Sequence, residues 1–192
     1  MKKPEKTPDL NSLVARLRGA GAAVVPEHLM KELLAARGVP VPRGILCVSS
    51  DEAREAGRTL AFPLVLKLVS DRVLHKTDLG GVRTNIMSSG ELLDAFEAMN
   101  AGFLEKNVPG YQGMLVEEQA RPGVELIAGF QFDPAFGPVI MVGLGGVYTD
   151  IFRDVAFRLL PATREDIASM IDSLSCRPLL DGFRGSARVD LD

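Results

Sequence analysis

Tryptophan is absent from this 192-residue chain, which carries only two tyrosines, two cysteines and two histidines. So few cysteines exclude a disulfide-stapled secreted scaffold. Cys47 and Cys176 lie far apart without metal-type spacing and read as reduced thiols, neither of them catalytic. No apolar run is long enough to cross a bilayer, and the lysine-rich start from Met1 to Lys6 is not followed by a signal-peptide core. A soluble cytoplasmic protein is expected, with no membrane partner. An excess of basic charge is also missing: the formal net charge is -3 and the lysines and arginines are scattered, so nucleic acid is not the expected partner. There is no low-complexity tract and no internal repeat. What the chain does have is apolar side chains, 46% of the total. That is enough to bury the core of about one to one and a half domains.

The segment from Pro63 to Val82 is the most informative. Leu64, Val65, Leu66, Leu68 and Val69 form a buried-strand run with Lys67 set in it. Burying an ammonium is costly unless an anion meets it, and a phosphate would do so. The alternative is a snorkelling lysine with an apolar stem and a wet head. His75-Lys76-Thr77-Asp78 then leads into Gly80-Gly81, a pair that lets backbone amides approach an anion closely. The segment therefore reads as strand, mobile loop, strand, with a cation at one end and a histidine near the tip. An imidazole that titrates near neutrality offers a nucleophilic nitrogen at cellular pH. His28, early in a helix, reads as a surface or core residue.

Around this segment the pattern alternates. Helices are expected from Leu10 to Arg18 and from Pro26 to Arg37, the second closed by Gly38. Gly44 to Val48 reads as a strand. Ser49 with Glu52, and Ser88 with Glu91, are capping-box signatures for helices reaching about Leu60 and Lys106. Strands are expected near Val82 to Met87, Met114 to Val116, Val124 to Phe132, Val139 to Val142 and Ile151 to Phe157, the last four in an antiparallel sheet. Thr163 with Asp166 opens a helix across Ile167 to Leu174, and Pro178 to Gly185 reads as an irregular tail. Asp133-Pro134 is a turn. Gly143 to Gly146 is either a tight turn or a close approach to phosphate or a partner loop. Asp154 is either a magnesium ligand or the ion-pair partner of Arg158, the pair being favoured.

Several unlike fragments occur here in one order: the Lys67 strand, His75 to Val82, Val116-Glu117-Glu118, Gly123-Val124-Glu125, Asp133 to Pro138, Gly143 to Gly146 and Asp154 to Arg158. That order resembles the ATP-grasp domain of the ADP-forming acyl-CoA synthetases, the acetate–CoA ligase family, from about Pro26 to Gly185. The resemblance implies an α+β (α/β) fold of two lobes with ATP or ADP and Mg2+ held between them. The division it suggests is a helical leader over residues 1–24 and an ATP-grasp domain over 25–192. Within that domain, a small lobe at about 60–116 carries the His75 loop and an incomplete second lobe spans about 117–192. The implied reaction turns acyl-CoA, ADP and phosphate reversibly into acid, CoA and ATP, with a phosphohistidine as carrier. His75 occupies the relay position. Lys67, Gly80 and Gly81 would meet nucleotide phosphates, the backbone of Glu118, Gln119 and Ala120 the adenine, and the carboxylate of Glu125 the ribose hydroxyls. Nothing in the chain resembles the CoA-binding portion, so a CoA-binding α subunit or domain is implied, in a hetero-oligomer.

The sequence departs from that pattern at its end. Family members usually continue past Gly182-Phe183-Arg184-Gly185 into strands bearing an acidic residue, any residue, Asn and Pro, which supply magnesium ligands. Those strands are not found here, which leaves Asp154 as the metal candidate and predicts an uncovered sheet edge or apolar face. The alternative function is a noncatalytic nucleotide-binding or regulatory remnant of such a domain, for example partnered with an acyltransferase.

Overall fold

The apolar run ending at Ser70 forms a strand in which every residue but Lys67 is buried, because it lies inside a sheet covered on both faces. The computed structural model describes residues 10–146 and 149–191. The lysine-rich start and the rest of the expected leader before Leu10 lie outside the described residues. The chain divides into two units, one ending at Ala120 and the other beginning at Arg121.

The first unit contains α1 (Leu10–Gly19), α2 (Glu27–Ala35), β1 (Gly44–Cys47), α3 (Ser50–Thr59), β2 (Leu64–Ser70), β3 (Val82–Ile86), α4 (Ser89–Glu105) and β4 (Tyr111–Glu118). Its four strands lie in the order β1-β4-β2-β3, each neighbouring pair antiparallel. The two serine signatures act as caps. Ser49 and Ser88 accept from the N–H groups of Glu52 and Glu91, both at 3.3 Å. The two glutamates reach back to the N–H groups of Val48 and Met87, at 2.7 Å each, one residue before the cap itself. Each cap is worth about 1 kcal/mol. The apolar stripes of α3 and α4 bring Ala53, Ala56, Leu92, Phe96 and Phe103 onto the sheet face formed by Leu64, Leu66, Leu68, Met114 and Val116. Strand alternation sends Val65, Lys67 and Val69 to the opposite face. Leu13 of α1 and Leu33 of α2 are buried too, so the first two helices belong to this unit's interior.

One strand assignment is corrected here. Met114 to Val116 was expected in the sheet of the second half, but β4 lies between β1 and β2 in the first sheet. Its central residues are buried on both faces, and a short apolar run carries no mark of which sheet it will join.

The second unit contains β5 (Leu126–Asp133), β6 (Gly137–Leu144), α5 (Thr149–Phe152), β7 (Val155–Leu159), α6 (Arg164–Asp172) and α7 (Arg177–Leu180), with the strands antiparallel in that order. Asp133 turns β5 into β6, its carboxylate accepting from the N–H groups of Ala135 and Phe136 at 2.8 and 3.0 Å. Thr163 and Asp166 form a complete capping box on α6. Met170 and Leu174 pack on Val142 and Leu144. The expected strand from Ile151 to Phe157 begins late. Ile151 and Phe152 lie in a helical turn held by Thr149, whose hydroxyl donates to the Gly146 carbonyl at 2.9 Å. Arg153, at φ 48°, then reverses the chain. The expected irregular tail is also more ordered than anticipated, with Pro178 inside the short α7 and a 3-10 turn at Phe183–Gly185. Exposed apolar side chains are present on the two outer strands: Phe130 and Phe132 on one sheet face, and Phe157 and Leu159 on the other, are all more than half exposed.

Candidate functional site

Lys67 does meet an anion, but the anion is internal. Its Nζ donates to Glu27 Oε1 and to Glu117 Oε2, each at 2.7 Å. Lys67 lies opposite Leu115 in the β2–β4 register, so Glu117, two residues on, shares its face. Glu27 arrives from another element, as the first residue of α2, where a carboxylate also favours the helix N-terminus. Lys31, one turn on, donates to Glu27 at 2.8 Å and to Glu117 at 2.5 Å. Lys76, from the loop after β2, donates to Glu27 Oε2 at 2.9 Å. Three ammonium groups thus surround two carboxylates, leaving one net positive charge. Glu117 is nearly inaccessible at 3% exposure, whereas the lysines keep about a fifth of their side-chain surface.

Burial on its own would raise the Glu27 carboxyl, but the hydrogen bonds from Lys31, Lys67 and Lys76 together hold it well below the ordinary 4.5. Lys67 is pulled down by burial and lifted further by its bonds to Glu117 and Glu27, for a net rise above 10.5. For Glu27 the folded value lies below the unfolded one, so its contribution is complete above about pH 4.5 and is lost as pH falls through the folded value. For Lys67 the contribution is complete below pH 10.5 and is lost as pH rises through the raised value. Urea unfolding from pH ~7 down to ~3 should therefore show wild type losing on the order of 2 kcal/mol more stability than Glu27→Gln. Parallel pH curves for the two proteins would show that the cluster contributes nothing.

The loop between β2 and β3 is tied at both ends. At its start Ser70, almost fully buried, donates to the Pro109 carbonyl at 2.7 Å and accepts from the N–H groups of Arg72 and Val73. The Asp71 carbonyl accepts from the N–H groups of Ala23 and Val24. At its end Lys76 bonds Glu27, and a 3-10 turn at Thr77–Leu79 closes on Gly80, at φ 68°. Gly81 is required by close approach, since a Cβ there would stand 2.7 Å from the Lys76 carbonyl oxygen and 2.9 Å from Leu68 Cβ. The N–H groups of Gly80 and Gly81 donate to the carbonyls of Thr77 and Lys76 at 2.9 and 2.8 Å. These amides, expected to meet an anion, are used within the loop. His75 lies between the two ties and is exposed.

The remaining candidates fall in two places. In the first unit the Glu118 carboxylate accepts from the Ala61 N–H at 2.9 Å and from Arg43 at 3.3 Å. The N–H groups of Glu118 and Gln119 donate to the carbonyls of Arg43 and Pro63, both at 2.9 Å. The Gln119 side chain is paired with Asn85, and Ala120 is exposed. In the second unit Glu125 is exposed in the approach to β5, and its carbonyl accepts from the Gly145 N–H at 2.8 Å. Gly143, Gly145 and Gly146 are there for close approach. A Cβ on Gly143 would stand 2.5 Å from the Asp154 carbonyl oxygen, and one on Gly146 2.7 Å from Glu125 Oε2.

Asp154 does not pair with Arg158. Its two carboxylate oxygens accept from the N–H groups of Ser175 and Cys176 at 2.8 and 2.7 Å, and these bonds outweigh burial to lower its carboxyl. Arg158 instead donates to Ser169 Oγ and to the Phe157 carbonyl, both at 2.9 Å. Asp154 precedes β7 and so does not share the strand alternation that would set it on the face of Arg158. Among the described residues no cluster of three or more His, Cys, Asp or Glu side chains could hold a metal ion. His28 lines a cavity of about 410 Å3 beside Lys31, Arg43 and Glu117, and burial lowers its imidazole. Both cysteines are buried thiols outside any disulfide.

Sequence reasoning missed Glu27, Lys31, Ser70 and Glu117. Strand alternation could have found Glu117. No local signal marks Glu27 or Lys31, because what matters is the packing of α2 on the sheet.

Comparison with known proteins agrees with this architecture. The family described as ATP-grasp domain matches residues 16–192. The chain is 38% identical over 163 residues to 4-hydroxybutyrate–CoA ligase (ADP-forming) of Nitrosopumilus maritimus, a stretch that covers 84% of this chain and 23% of that protein. It is 35% identical over 182 residues to the β subunit of acetate–CoA ligase (ADP-forming) II of Pyrococcus furiosus, covering 94% of this chain and 77% of the subunit. Among solved structures, the dinucleotide-forming acetyl-coenzyme A synthetase 1 of Ca. Korarchaeum cryptofilum, in complex with coenzyme A, Ca-AMPCP and HgCl+, superposes with a TM-score of 0.86 at 41% identity. That match covers 95% of this chain and 80% of that one. No described helix is long and apolar enough to cross a membrane. Matched over nearly its whole length by the family and by these relatives, the chain belongs to the ATP-grasp family, in the form found in β subunits of ADP-forming acetate–CoA ligases.

Proposed function

We propose that this chain is the nucleotide-handling part of an ADP-forming acyl-CoA synthetase, and that His75 relays a phosphoryl group between a CoA-binding partner and ADP. The observation that carries this reading is the juxtaposition of a net-positive lysine cluster, reached by Lys67 and Lys76, with an exposed histidine one residue from Lys76. A polyphosphate needs fixed cations, and a relay nucleophile needs to be accessible. In the transfer, a His75 nitrogen–phosphorus bond breaks as an oxygen of the ADP β-phosphate bonds to the same phosphorus, and the freed ring nitrogen takes one proton from solvent, leaving ATP and neutral imidazole. Lys67 offsets the charge on the transferring group. Glu125 would accept from the ribose hydroxyls. A backbone donor for adenine would come from Ala120, since the N–H groups of Glu118 and Gln119 are already engaged. The partner is a CoA-binding subunit or domain, which would contribute the acyl pocket.

Magnesium would arrive with the nucleotide, whose phosphates supply oxygen ligands for it. Asp154 accepts one amide on each oxygen, and among the described residues no cluster of three or more His, Cys, Asp or Glu side chains could hold the ion. The same observation favours the second reading, a nucleotide-binding or regulatory domain without catalysis. Calorimetric titration with ATP and ADP, with and without Mg2+, separates the two. Magnesium-dependent binding with Kd of about 1–100 µM supports the enzyme. Binding indifferent to magnesium supports the noncatalytic domain, and absence of binding retires both.

A further inference from the structure

We propose that Glu27 is a built-in stand-in for phosphate: it pins the His75 loop to α2 through Lys76, and it yields Lys67 and Lys76 to the polyphosphate of an incoming nucleotide. This rests on the nucleotide reading above and adds to it a positioning residue that controls the loop.

Geometry points to Glu27 rather than to Glu117. Each Glu27 oxygen holds a different part of the site, Oε1 the strand lysine and Oε2 the loop lysine. Glu117 holds Lys67 and Lys31 but makes no described contact to the loop. Glu117 is also nearly inaccessible, whereas Glu27 keeps 27% of its side-chain surface and sits at the end of a helix, where it can turn outward. If Glu27 leaves, Glu117 still holds Lys67 and Lys31, so the cations stay in place for a new anion.

The loop itself is poised for this exchange. Its first end is fastened by Ser70 to buried backbone, while among the described residues the hydrogen bond that ties its last turn to α2 is Lys76–Glu27. The amides of Gly80 and Gly81 now close the loop on its own carbonyls. They can turn to an anion only when that turn opens. A diphosphate carries more charge and more acceptor oxygens than one carboxylate, so it can replace Glu27 on both lysines at once.

Hydrogen exchange of residues 71–81 and calorimetry with inorganic pyrophosphate and with ADP test this on wild type, Glu27→Gln, Glu27→Asp and Lys76→Gln. Removing the carboxylate takes the cluster from one to two net positive charges. Glu27→Gln should therefore exchange about tenfold faster across the loop and bind pyrophosphate about tenfold tighter. Glu27→Asp should restore slower exchange. A residue that only builds the site predicts the opposite sign, so weaker pyrophosphate binding by folded Glu27→Gln overturns the proposal. Unchanged loop exchange does so too. Should Glu27→Gln fail to fold, Lys76→Gln breaks the same tie from the loop side, and unchanged exchange there is equally decisive. Pyrophosphate binding without ADP binding in wild type would retire the nucleotide reading and leave the role of Glu27 standing. If neither ligand binds wild type, both are overturned.

Discussion

Replacing Lys67 by methionine is expected to lower the unfolding free energy by about 2–3 kcal/mol and to weaken ADP binding by about a hundredfold. Methionine keeps the apolar stem that β2 buries and removes the ammonium. Glu117, at 3% exposure, would then be held by Lys31 alone. Breaking a buried pair costs about 3–5 kcal/mol, and the figure is reduced here because Lys67 is one-fifth exposed and each carboxylate keeps another lysine. The two readouts report on separate links of the chain of cause. Urea unfolding measures the cluster as structure, and calorimetry with ADP measures it as a phosphate site. A stable variant with unchanged ADP affinity would remove Lys67 from both roles. Loss of stability with affinity intact would leave it a purely structural ion pair.

His75→Ala should produce the reverse pattern. The side chain is exposed and bonded to nothing described, so stability should change by less than about 0.5 kcal/mol. ADP affinity should hold as well, since Lys67 and Lys76 are untouched. ATP formation from acyl-CoA, ADP and phosphate, assayed with the CoA-binding partner present, should fall by roughly a thousandfold or more, because His75 is the one imidazole on the loop. Radiolabel from phosphate should no longer appear on this chain in acid-labile, base-stable form. Undiminished ATP formation would end the relay assignment. A variant that lost ADP affinity instead would make His75 a binding residue.

Much of the local structure was legible in advance. Ser49, Ser88 and Thr163 each announced a helix through the residue three positions on, and all three accept the expected N–H bond. The apolar run around Lys67 became the buried strand it resembled. Asp133-Pro134 became a turn. The misreadings share a cause. Ile151 and Phe152 have strand propensity, but a threonine-stabilised turn places them in a helix. Asp154 is four residues from Arg158, the partner expected for it, yet it stands before the strand and bonds a segment some twenty residues further on. In each case a contact made by folding overrode a local preference.

By itself the sequence determined where helices start, that a lysine would be buried beside a glycine-closed histidine loop, and which family those fragments follow. These rest on interactions within a few residues, or on motifs carried intact along the chain. Only the tertiary structure decided what meets that lysine. Its partners lie 40 and 50 residues away, one on a helix and one on a neighbouring strand. They converge because α2 packs on the face to which strand alternation sends Lys67. A desolvated ammonium must be neutralised by whatever the fold brings within about 3 Å, and which group that is depends on how α2 and the sheet pack together.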